Sequence, residues 1–223
     1  MGTDRSIGKV VHGALAYDIQ AWVLTLGNER RFRERLVRLA RLAAGESVLD
    51  VGCGTGALTI AAHGQVGSAG EVCGVDPSPE MVARARRKAA KAGVDVRFEV
   101  AAAQALPFPD ARFDVVLSCL VLHHVSEGGR PQAIGEIRRV LRPGGRFLAI
   151  DFGGGGKRTR HGMLHRLHRM LHRLPGHNDF DLDELTPALE SEALDAVERG
   201  PVDSSGVLGH SNLRFLLARA LSP

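Results

Sequence analysis

The chain has 223 residues, 44% of them hydrophobic and 24% charged, which is enough to bury a sizeable core and is typical of a globular domain. A net charge of +4, a single Tyr and a single Trp, and no apolar run of 18 residues argue against binding by aromatic stacking and against a membrane-spanning helix. The first residues are polar and charged, unlike a secretory signal, and the three cysteines form no C-x-x-C pair. We therefore expect a cytoplasmic protein with reduced thiols.

The first predicted element is a basic amphipathic helix from Trp22 to Ala44. Four apolar side chains recur there at helical spacing, namely Phe32, Leu36, Leu39 and Leu42. Gly45 is a suitable helix end.

Strands and helices then alternate as far as Asp151. The predicted strands are the apolar parts of SVLDVGCGTG, EVCGVD, VDVRFEV, RFDVVLSCL and RFLAID. A helix is predicted to open directly after the first strand, and others over Ser78–Ala92, with Pro79 in its first turn, and Ala133–Leu141. A further helix over Asp181–Ala193 precedes two closing strands, ALDAVERGPV and NLRFLLARAL.

This alternation indicates a parallel sheet covered on both faces. We predict an α/β fold with a Rossmann-like, doubly wound, mostly parallel sheet, an antiparallel C-terminal strand pair and three αβα layers. We expect a single domain. Its parts are N-terminal helices over 1–45, a ligand-binding core over 46–152, a lid or insertion over 153–180, and a closing helix and strand pair over 181–223.

The segment HGMLHRLHRMLHRLPGH, residues 161–177, contains five of the ten histidines. On a helix its histidines, its leucines with the methionines, and its arginines form three separate stripes. No acidic residue lies between Asp151 and Asp179, which predicts a local basic surface. A substrate lid is favoured because the segment follows the fifth strand. An interfacial helix, a metal site and an ordinary packed helix stay open.

A glycine turn follows the first strand at the edge where open parallel sheets bind ligands. Gly52, Gly54 and Gly56 follow the spacing G-x-G-x-G, which differs from the dinucleotide fingerprint G-x-G-x-x-G. Asp76 ends the second strand, 20 residues beyond Gly56, where a carboxylate can accept hydrogen bonds from ribose hydroxyls. Together they predict a ribose-bearing cofactor. The alternative for Asp76 is a cap of the following helix.

Four successive segments resemble motifs of the class I S-adenosylmethionine-dependent methyltransferases. They are VLDVGCGTG, VCGVDPSPEMVARAR, ALPFPDARFDVVLSCLVLHHV and EIRRVLRPGGRFLAID, and together they cover roughly residues 48–151. The resemblance is greatest to the branch that includes the ubiquinone/menaquinone C-methyltransferases. It implies S-adenosylmethionine as cofactor and S-adenosylhomocysteine as product.

The resemblance also implies roles for individual residues. Gly52, Cys53 and Gly54 would pack against the methionine moiety, and Asp50 would orient the loop and the cofactor's amino group. Asp76 would bind the ribose. Gly56, in the glycine turn, is also expected to contact the cofactor. The remaining implied contacts are Pro77 and Met81 beside the adenine, Ser118, Cys119 and His123 at the sulfonium, and Tyr17 closing the cofactor from the N-terminal side.

One position departs from the family pattern. The family often has GDAxxLPF before the fourth strand, whereas this chain reads AAAQALPF, so that Ala102 replaces the aspartate that accepts from the adenine amino group. The loss of one such hydrogen bond costs about 1 kcal/mol. Ala102, Ala103 and Gln104 are still expected to border the cofactor, and Gln104 or water can substitute as acceptor.

His123 and His124 are the predicted catalytic residues. They follow the fourth strand, where an acceptor would lie, and an imidazole is suited to remove a proton near neutral pH. Asp151, at the end of the fifth strand, is a further candidate. Lining of the cleft is the alternative for the histidine pair, and no metal site is predicted.

We therefore predict methyl transfer to a small-molecule acceptor, with O-, N- and C-methylation all open. The alternatives are a lipid or quinone methyltransferase at a membrane surface, a nicotinamide-dependent reductase, and a catalytically silent cofactor-binding or nucleic-acid-binding protein. No nucleic-acid partner is expected, peripheral membrane contact is left open, and the protein is expected to be a monomer or a homodimer.

Overall fold

The computed structural model describes residues 13–153, 180–203, 205 and 213–221. The histidine-rich segment 161–177 and most of the predicted lid lie outside the described residues, so their predicted roles stay predictions.

The described strands form one seven-stranded sheet in the order β3-β2-β1-β4-β5-β7-β6. The strands are β1 (Ser47–Val51), β2 (Glu71–Asp76), β3 (Arg97–Val100), β4 (Phe113–Cys119), β5 (Leu141–Phe152), β6 (Leu194–Pro201) and β7 (Leu213–Ala220). The helices are α1 (Ala14–Leu24), α2 (Glu29–Leu39), α3 (Ala57–Val66), α4 (Pro79–Ala92), α5 (Arg130–Val140) and α6 (Thr186–Ser191). Short 3₁₀ turns lie at Leu122–His124, Glu127–Gly129 and Leu182–Leu185.

The predicted fold class is confirmed. Strands β1 to β5 pair in parallel, whereas β7 runs antiparallel to both β5 and β6. Successive residues of the central strands alternate between two buried clusters. Leu49 packs in the cluster with α5 and the turn at Leu182, and Val48 packs in the cluster with α2 and α3. Both faces are therefore covered, which explains why these strands read as continuous apolar runs.

The N-terminal prediction was wrong in one respect. Instead of one helix from Trp22 to Ala44, the chain forms α1 and α2, separated at Thr25–Asn28. Leu26 and Gly27 adopt φ angles of 50° and 76°, which end α1. The predicted apolar residues Phe32 and Leu36 are buried on α2.

Two other predicted boundaries differ. The predicted helix over Asp181–Ala193 is a 3₁₀ turn followed by the six-residue α6, and β5 begins at Leu141 rather than at Arg146. The helix predicted over Ser78–Ala92 is α4, and Ser78 is its cap, since the Ser78 side chain accepts from the Met81 backbone N–H. In the parts of the chain that the structure describes, no helix is long and apolar enough to cross a membrane.

The packing of β2 leaves no room for a side chain at Gly74. A Cβ atom there would lie 2.8 Å from Cδ1 of Phe98. We expect Gly74→Ala to lower the free energy of unfolding by about 1–3 kcal/mol, and Phe98→Leu in the same chain to recover part of that loss. Urea denaturation followed by circular dichroism measures both.

Gly64→Ala is the matched control. Gly64 lies within α3 and has open space around its Cα, so alanine there should raise stability by about 0.5–1 kcal/mol. Equal stability of G74A and the wild type would show that β2 and β3 have room to separate.

Candidate functional site

The glycine loop turns at the carboxyl end of β1. Gly52, Gly54 and Gly56 have φ angles of 74°, 52° and 80°, in the left-handed region that favours glycine. The backbone N–H groups of Gly52 and Cys53 both donate to the carbonyl of Val75, at 2.8 and 2.9 Å. These bonds fold the loop towards the end of β2.

The three glycines serve different purposes. A Cβ atom on Gly52 would lie 2.2 Å from a methyl carbon of Val121, so this residue allows β1 and the segment after β4 to approach. A Cβ on Gly56 would lie 2.9 Å from the Phe98 ring, so Gly56 lets α4 and β3 pack beneath the loop. A Cβ on Gly54 would face Tyr17 at 3.8 Å, across the opening of the site.

Asp76 holds this loop through its carboxylate. Its Oδ2 accepts from the Gly54 N–H at 3.0 Å, and its Oδ1 accepts from the Ser78 N–H at 2.9 Å. Burial raises the pKa of Asp76, and these two hydrogen bonds oppose that rise. Asp76 therefore holds Ser78, which is the residue that caps α4, and also borders the cavity described next. The alternative, in which Asp76 itself caps the helix, was wrong.

A cavity opens beside the loop. It is lined by Tyr17, Gly52, Gly54, Asp76, Pro77, Met81, Ala102, Ala103, Gln104, Cys119, Leu120, Val121, His124 and Val125. Ten of these are residues that sequence reasoning assigned to a cofactor. They come from five separate parts of the chain and meet because the carboxyl ends of β1, β2 and β4 lie side by side.

A smaller cavity lies on the other side of Tyr17, lined by Tyr17, Arg33, Asp50, Gly52, Cys53, Thr55, Ala57, Leu58 and Cys119. It brings the predicted Asp50 and Cys53 together with Arg33, which sequence reasoning missed. Burial raises the pKa of Cys53 well above its usual range and that of Cys119 to about 12, so both thiols are neutral.

Arg33 is a buried cation on α2, 9% exposed. Its Nη2 lies 3.4 Å from Glu29 and its Nη1 lies 3.9 Å from the Cys119 sulfur, but its Nε has no hydrogen-bond partner in the described structure. Burial alone would lower the pKa of Arg33, yet Tyr17, Cys119 and Glu29 raise it above its ordinary value. A buried guanidinium with an unused donor at a cavity wall is suited to bind an anionic ligand group.

Asp50 is 1% exposed and accepts from the Thr59 hydroxyl at 2.6 Å, which ties the end of β1 to α3. Burial raises the pKa of Asp50 to about 6, although Thr59 and Arg33 both lower it. The carboxyl is therefore close to the point at which it accepts or releases a proton near neutral pH.

His123 and Asp151, two of the predicted catalytic candidates, form a close pair. Nδ1 of His123 lies 2.7 Å from Oδ1 of Asp151, and the backbone N–H of His123 donates to Oδ2 at 3.2 Å. Asp151 is 1% exposed, and its Oδ1 also accepts from the Phe152 N–H at 2.9 Å. Because a carboxylate accepts, Nδ1 is the donor to Asp151, and Nε2 carries the lone pair in the neutral form of the ring.

The remaining predicted residues occupy different places. His124 lines the larger cavity and packs against His123 with ring centroids 3.9 Å apart, whereas His123 is not among the lining residues. Ser118 is buried beneath it, and its hydroxyl has no hydrogen-bond partner among the described residues. No group of three potential metal-ligating side chains occurs in the described ranges.

Tyr17 is held over the cavities by a charged network that sequence reasoning missed. Asp18, its neighbour on α1, accepts from the Thr55 hydroxyl at 2.6 Å, from Nε of Arg84 at 2.8 Å and from Nζ of Lys88 at 3.1 Å. Although burial opposes it, these donors keep the pKa of Asp18 below its usual value. The network fastens α1 to α4 and to the glycine loop.

The raised pKa of Asp50 makes stability depend on pH. The folded chain keeps this proton up to about pH 6, whereas the unfolded chain releases it near pH 4, so the wild type loses roughly 2–3 kcal/mol of stability across that range. Asp50→Asn carries no titrating group, and its stability relative to the wild type should rise by that amount from pH 4 to pH 7. Urea unfolding at a series of pH values measures the difference.

Asp195→Asn, at an exposed carboxylate on β6, is the control for the change in charge. A difference between D50N and the wild type that stays constant with pH would contradict the raised pKa.

Comparison with known proteins agrees with this geometry. Residues 48–145 match the family model described as a methyltransferase domain. The chain is 41% identical over 136 residues to the demethylmenaquinone methyltransferase of Thermus thermophilus, covering 61% of this chain and 60% of that one. It is 44% identical over 126 residues to the 27-O-demethylrifamycin SV methyltransferase of Amycolatopsis mediterranei, covering 55% and 44%.

The aligned part of the chain thus spans about 60% of the first relative and less than half of the second. A solved S-adenosylmethionine-dependent methyltransferase from Aquifex aeolicus has the same fold, with a TM-score of 0.72 at 21% identity over 95% of this chain and 100% of that one. Residues 48–145 are therefore similar to a methyltransferase domain, the chain is similar to a demethylmenaquinone methyltransferase, and its fold is that of the solved S-adenosylmethionine-dependent methyltransferase.

Proposed function

We propose that this protein transfers a methyl group from S-adenosylmethionine to a small molecule whose accepting atom must first lose a proton. The observation that carries the proposal is the pairing of the half-buried His123 with the buried Asp151, where His123 packs against His124 in the lining of a cavity that the glycine loop and Asp76 also line. The acceptors in the relatives' names, demethylmenaquinone and 27-O-demethylrifamycin SV, indicate the class of compound to test first.

The residues of the two cavities fit this cofactor. Asp76 offers carboxylate lone pairs for ribose hydroxyls, and Pro77 and Met81 supply apolar contact for a base. In the smaller cavity, the unused Nε of Arg33 suits the carboxylate of the methionine moiety, and Asp50 suits its ammonium group. Opposite charges thus lie where an amino acid moiety needs them.

The bound cofactor supplies a methyl group that its sulfonium centre already activates. The chain has to orient the acceptor and remove its proton. In this proposal Nε2 of His123 accepts the proton of an acceptor hydroxyl or activated carbon, and Asp151 holds the ring and stabilises the imidazolium that forms. His123 is the proposed catalytic base, His124 is proposed to contact the acceptor in the cavity, and Asp151 is a positioning residue.

The compartment and the partners are also proposals. All three cysteines are free, which supports a reducing cytoplasmic location. A small-molecule acceptor is consistent with the relatives, and we propose a monomer or homodimer that makes peripheral contact with a membrane.

The first experiment tests transfer itself. Incubation with methyl-labelled S-adenosylmethionine and either demethylmenaquinone or 27-O-demethylrifamycin SV, followed by mass spectrometry, should reveal a product heavier by one methyl group. Fractionated cell extract widens the search for acceptors. Cofactor binding without any labelled product would favour the catalytically silent alternative, and no cofactor binding would contradict the proposal as a whole.

The second experiment tests the base. We expect His123→Gln to lower kcat by about 100-fold or more at neutral pH while cofactor affinity changes little. Higher pH should recover part of the rate, because the acceptor hydroxyl then ionises without a base. Asp151→Asn should lower kcat less than His123→Gln does. It should also alter the pH profile of kcat, because Asp151 acts through His123.

His124→Gln is the matched control for the base. Because His124 lines the cavity, we expect mainly a higher KM for the acceptor. If H124Q showed the pH-dependent loss of kcat and H123Q did not, the two roles would be reversed.

The third experiment tests Arg33. Arg33→Gln should weaken S-adenosylmethionine binding by about 10- to 100-fold, because a charge-assisted hydrogen bond is lost. Binding of 5′-methylthioadenosine, which lacks the amino acid moiety, should be nearly unchanged. Calorimetry with both ligands measures the contrast.

Arg38→Gln is the control, since Arg38 is an exposed arginine on the same helix. Equal losses for the two ligands in R33Q would mean that Arg33 supports the position of α2 instead of binding a carboxylate.

A further inference from the structure

Helix α1 has two different faces. Its inner face contacts the rest of the protein: Ala14 is buried, Tyr17 lines the cavities and Asp18 binds Arg84 and Lys88. Its outer face, as we use the term, consists of Leu15, Ile19, Trp22, Val23 and, in the turn that follows, Leu26. These side chains are between 49% and 61% exposed.

This exposure is concentrated in one place. The described part of the chain has eight large apolar side chains that are exposed, and five of them belong to the outer face of α1. Leu15, Ile19 and Trp22 follow the i, i+4, i+7 spacing that aligns side chains along one side of a helix. The result is a continuous apolar stripe instead of scattered surface residues.

The helix is fastened to the body of the protein, so the stripe faces outward. The Glu80 carboxylate accepts from the N–H groups of Gly13 and Ala14 at 3.0 and 2.8 Å, which anchors the first turn. Asp18 anchors the next turn through Arg84 and Lys88. Because these contacts fix the inner face of α1 against α4, the helix does not need to rotate to present its outer face to another molecule.

The exposed charged side chains of residues 13–46 are all arginines, namely Arg30, Arg31, Arg38 and Arg41. The exposed carboxylate of Glu80 lies at the other end of the stripe, at the first turn of α1. The four carboxylates of residues 13–46 are less exposed and are all ion-paired, Glu34 with Arg30 itself. Arg30 and Arg31 come four and five residues after Leu26.

An apolar stripe with one Trp and flanking arginines is suited to the surface of an anionic bilayer, where apolar side chains enter the headgroup boundary and cations meet lipid phosphates. A second copy of the chain is a poorer match. The five side chains offer roughly 500 Å², less than the roughly 800 Å² per partner of stable interfaces, and like-charged arginines would face one another across a symmetric contact.

We propose that the outer face of α1 docks the protein onto an anionic lipid bilayer, with Trp22 at the headgroup boundary and Arg30 and Arg31 towards lipid phosphates. This docking is independent of which acceptor is methylated. Tyr17 lies on the opposite face of α1 and lines both cavities. Docking by the outer face would therefore hold the cavities close to the membrane.

Trp22 reports on the proposal directly because it is the only tryptophan of the chain. In buffer, the whole protein should show the long-wavelength emission of an exposed tryptophan. Vesicles of phosphatidylglycerol and phosphatidylcholine should shift this emission to shorter wavelength and protect it from acrylamide. Vesicles of phosphatidylcholine alone should bind far less, and added salt should weaken the anionic interaction.

Ile19→Glu keeps the reporter and interrupts the stripe, and we expect about tenfold weaker binding to the anionic vesicles. Val197→Glu is the matched control, because Val197 is 52% exposed on β6 and lies outside α1. Circular dichroism checks that both variants are folded. Equal weakening by the two variants would overturn the proposal, since charge alone would then explain it.

Three other outcomes would also overturn it. Unchanged Trp22 emission with anionic vesicles would exclude docking by this face. A blue shift that depends on protein concentration without lipid would indicate a second copy as the partner. Short-wavelength emission in buffer at every dilution would mean that another part of the chain already covers α1.

Discussion

The parallel pairing of β1 with both β2 and β4 is the constraint on which the site depends. Val51, the last residue of β1, stands beside Val75 and Ser118, so the segments that follow all three strands leave the sheet at the same edge. Strand β1 is buried along its whole length, and the loop after it has no freedom to move aside. Glycine is required at Gly52 for that reason, since a larger residue would collide with Val121.

Several charged side chains are buried at this edge of the sheet, and burying them costs desolvation free energy. Arg33, Asp50 and Asp151 are buried, and each keeps some of its hydrogen-bonding capacity for a ligand or for another catalytic group. Burial of Asp50 and Asp76 favours their neutral forms, and a bound cation or hydroxyl donor would favour the ionised forms again. A ligand that supplies such a group would therefore lower the pKa of these carboxyls as it binds. Shifted pKa values of this kind are common at functional sites.

Helix α1 connects the interior of the site with the surface of the molecule. One turn carries Tyr17 and Asp18 towards the glycine loop, while its neighbours Leu15 and Ile19 face outward. An event at the outer face would act on the cavities through the bonds of Asp18 to Thr55 and Lys88. The same short helix thus belongs both to the closure of the site and to the proposed membrane contact.

Much of the fold and part of the site could be predicted from local sequence patterns. Apolar runs predicted the strands, the G-x-G-x-G turn predicted the loop, and the distance to Asp76 predicted its position beside that loop, because each signal lies within one strand–turn–helix unit. The break between α1 and α2 was missed because the residues that carry the helical spacing, Phe32, Leu36, Leu39 and Leu42, all lie after Thr25–Asn28. The resemblance to a family supplied the cofactor and most of the lining residues.

What only the tertiary structure decided is which distant side chains meet. Arg33 looked like one arginine among several on a basic helix, and only the packing of α2 beside Cys119 buries it at the cavity. His123 and Asp151 are separated by 28 residues, and the pairing of β4 with β5 brings them to 2.7 Å. Sequence alone determined where the chain turns and which faces are apolar, since those properties are local. The partners of its buried charges depend on strand order, which no short segment encodes.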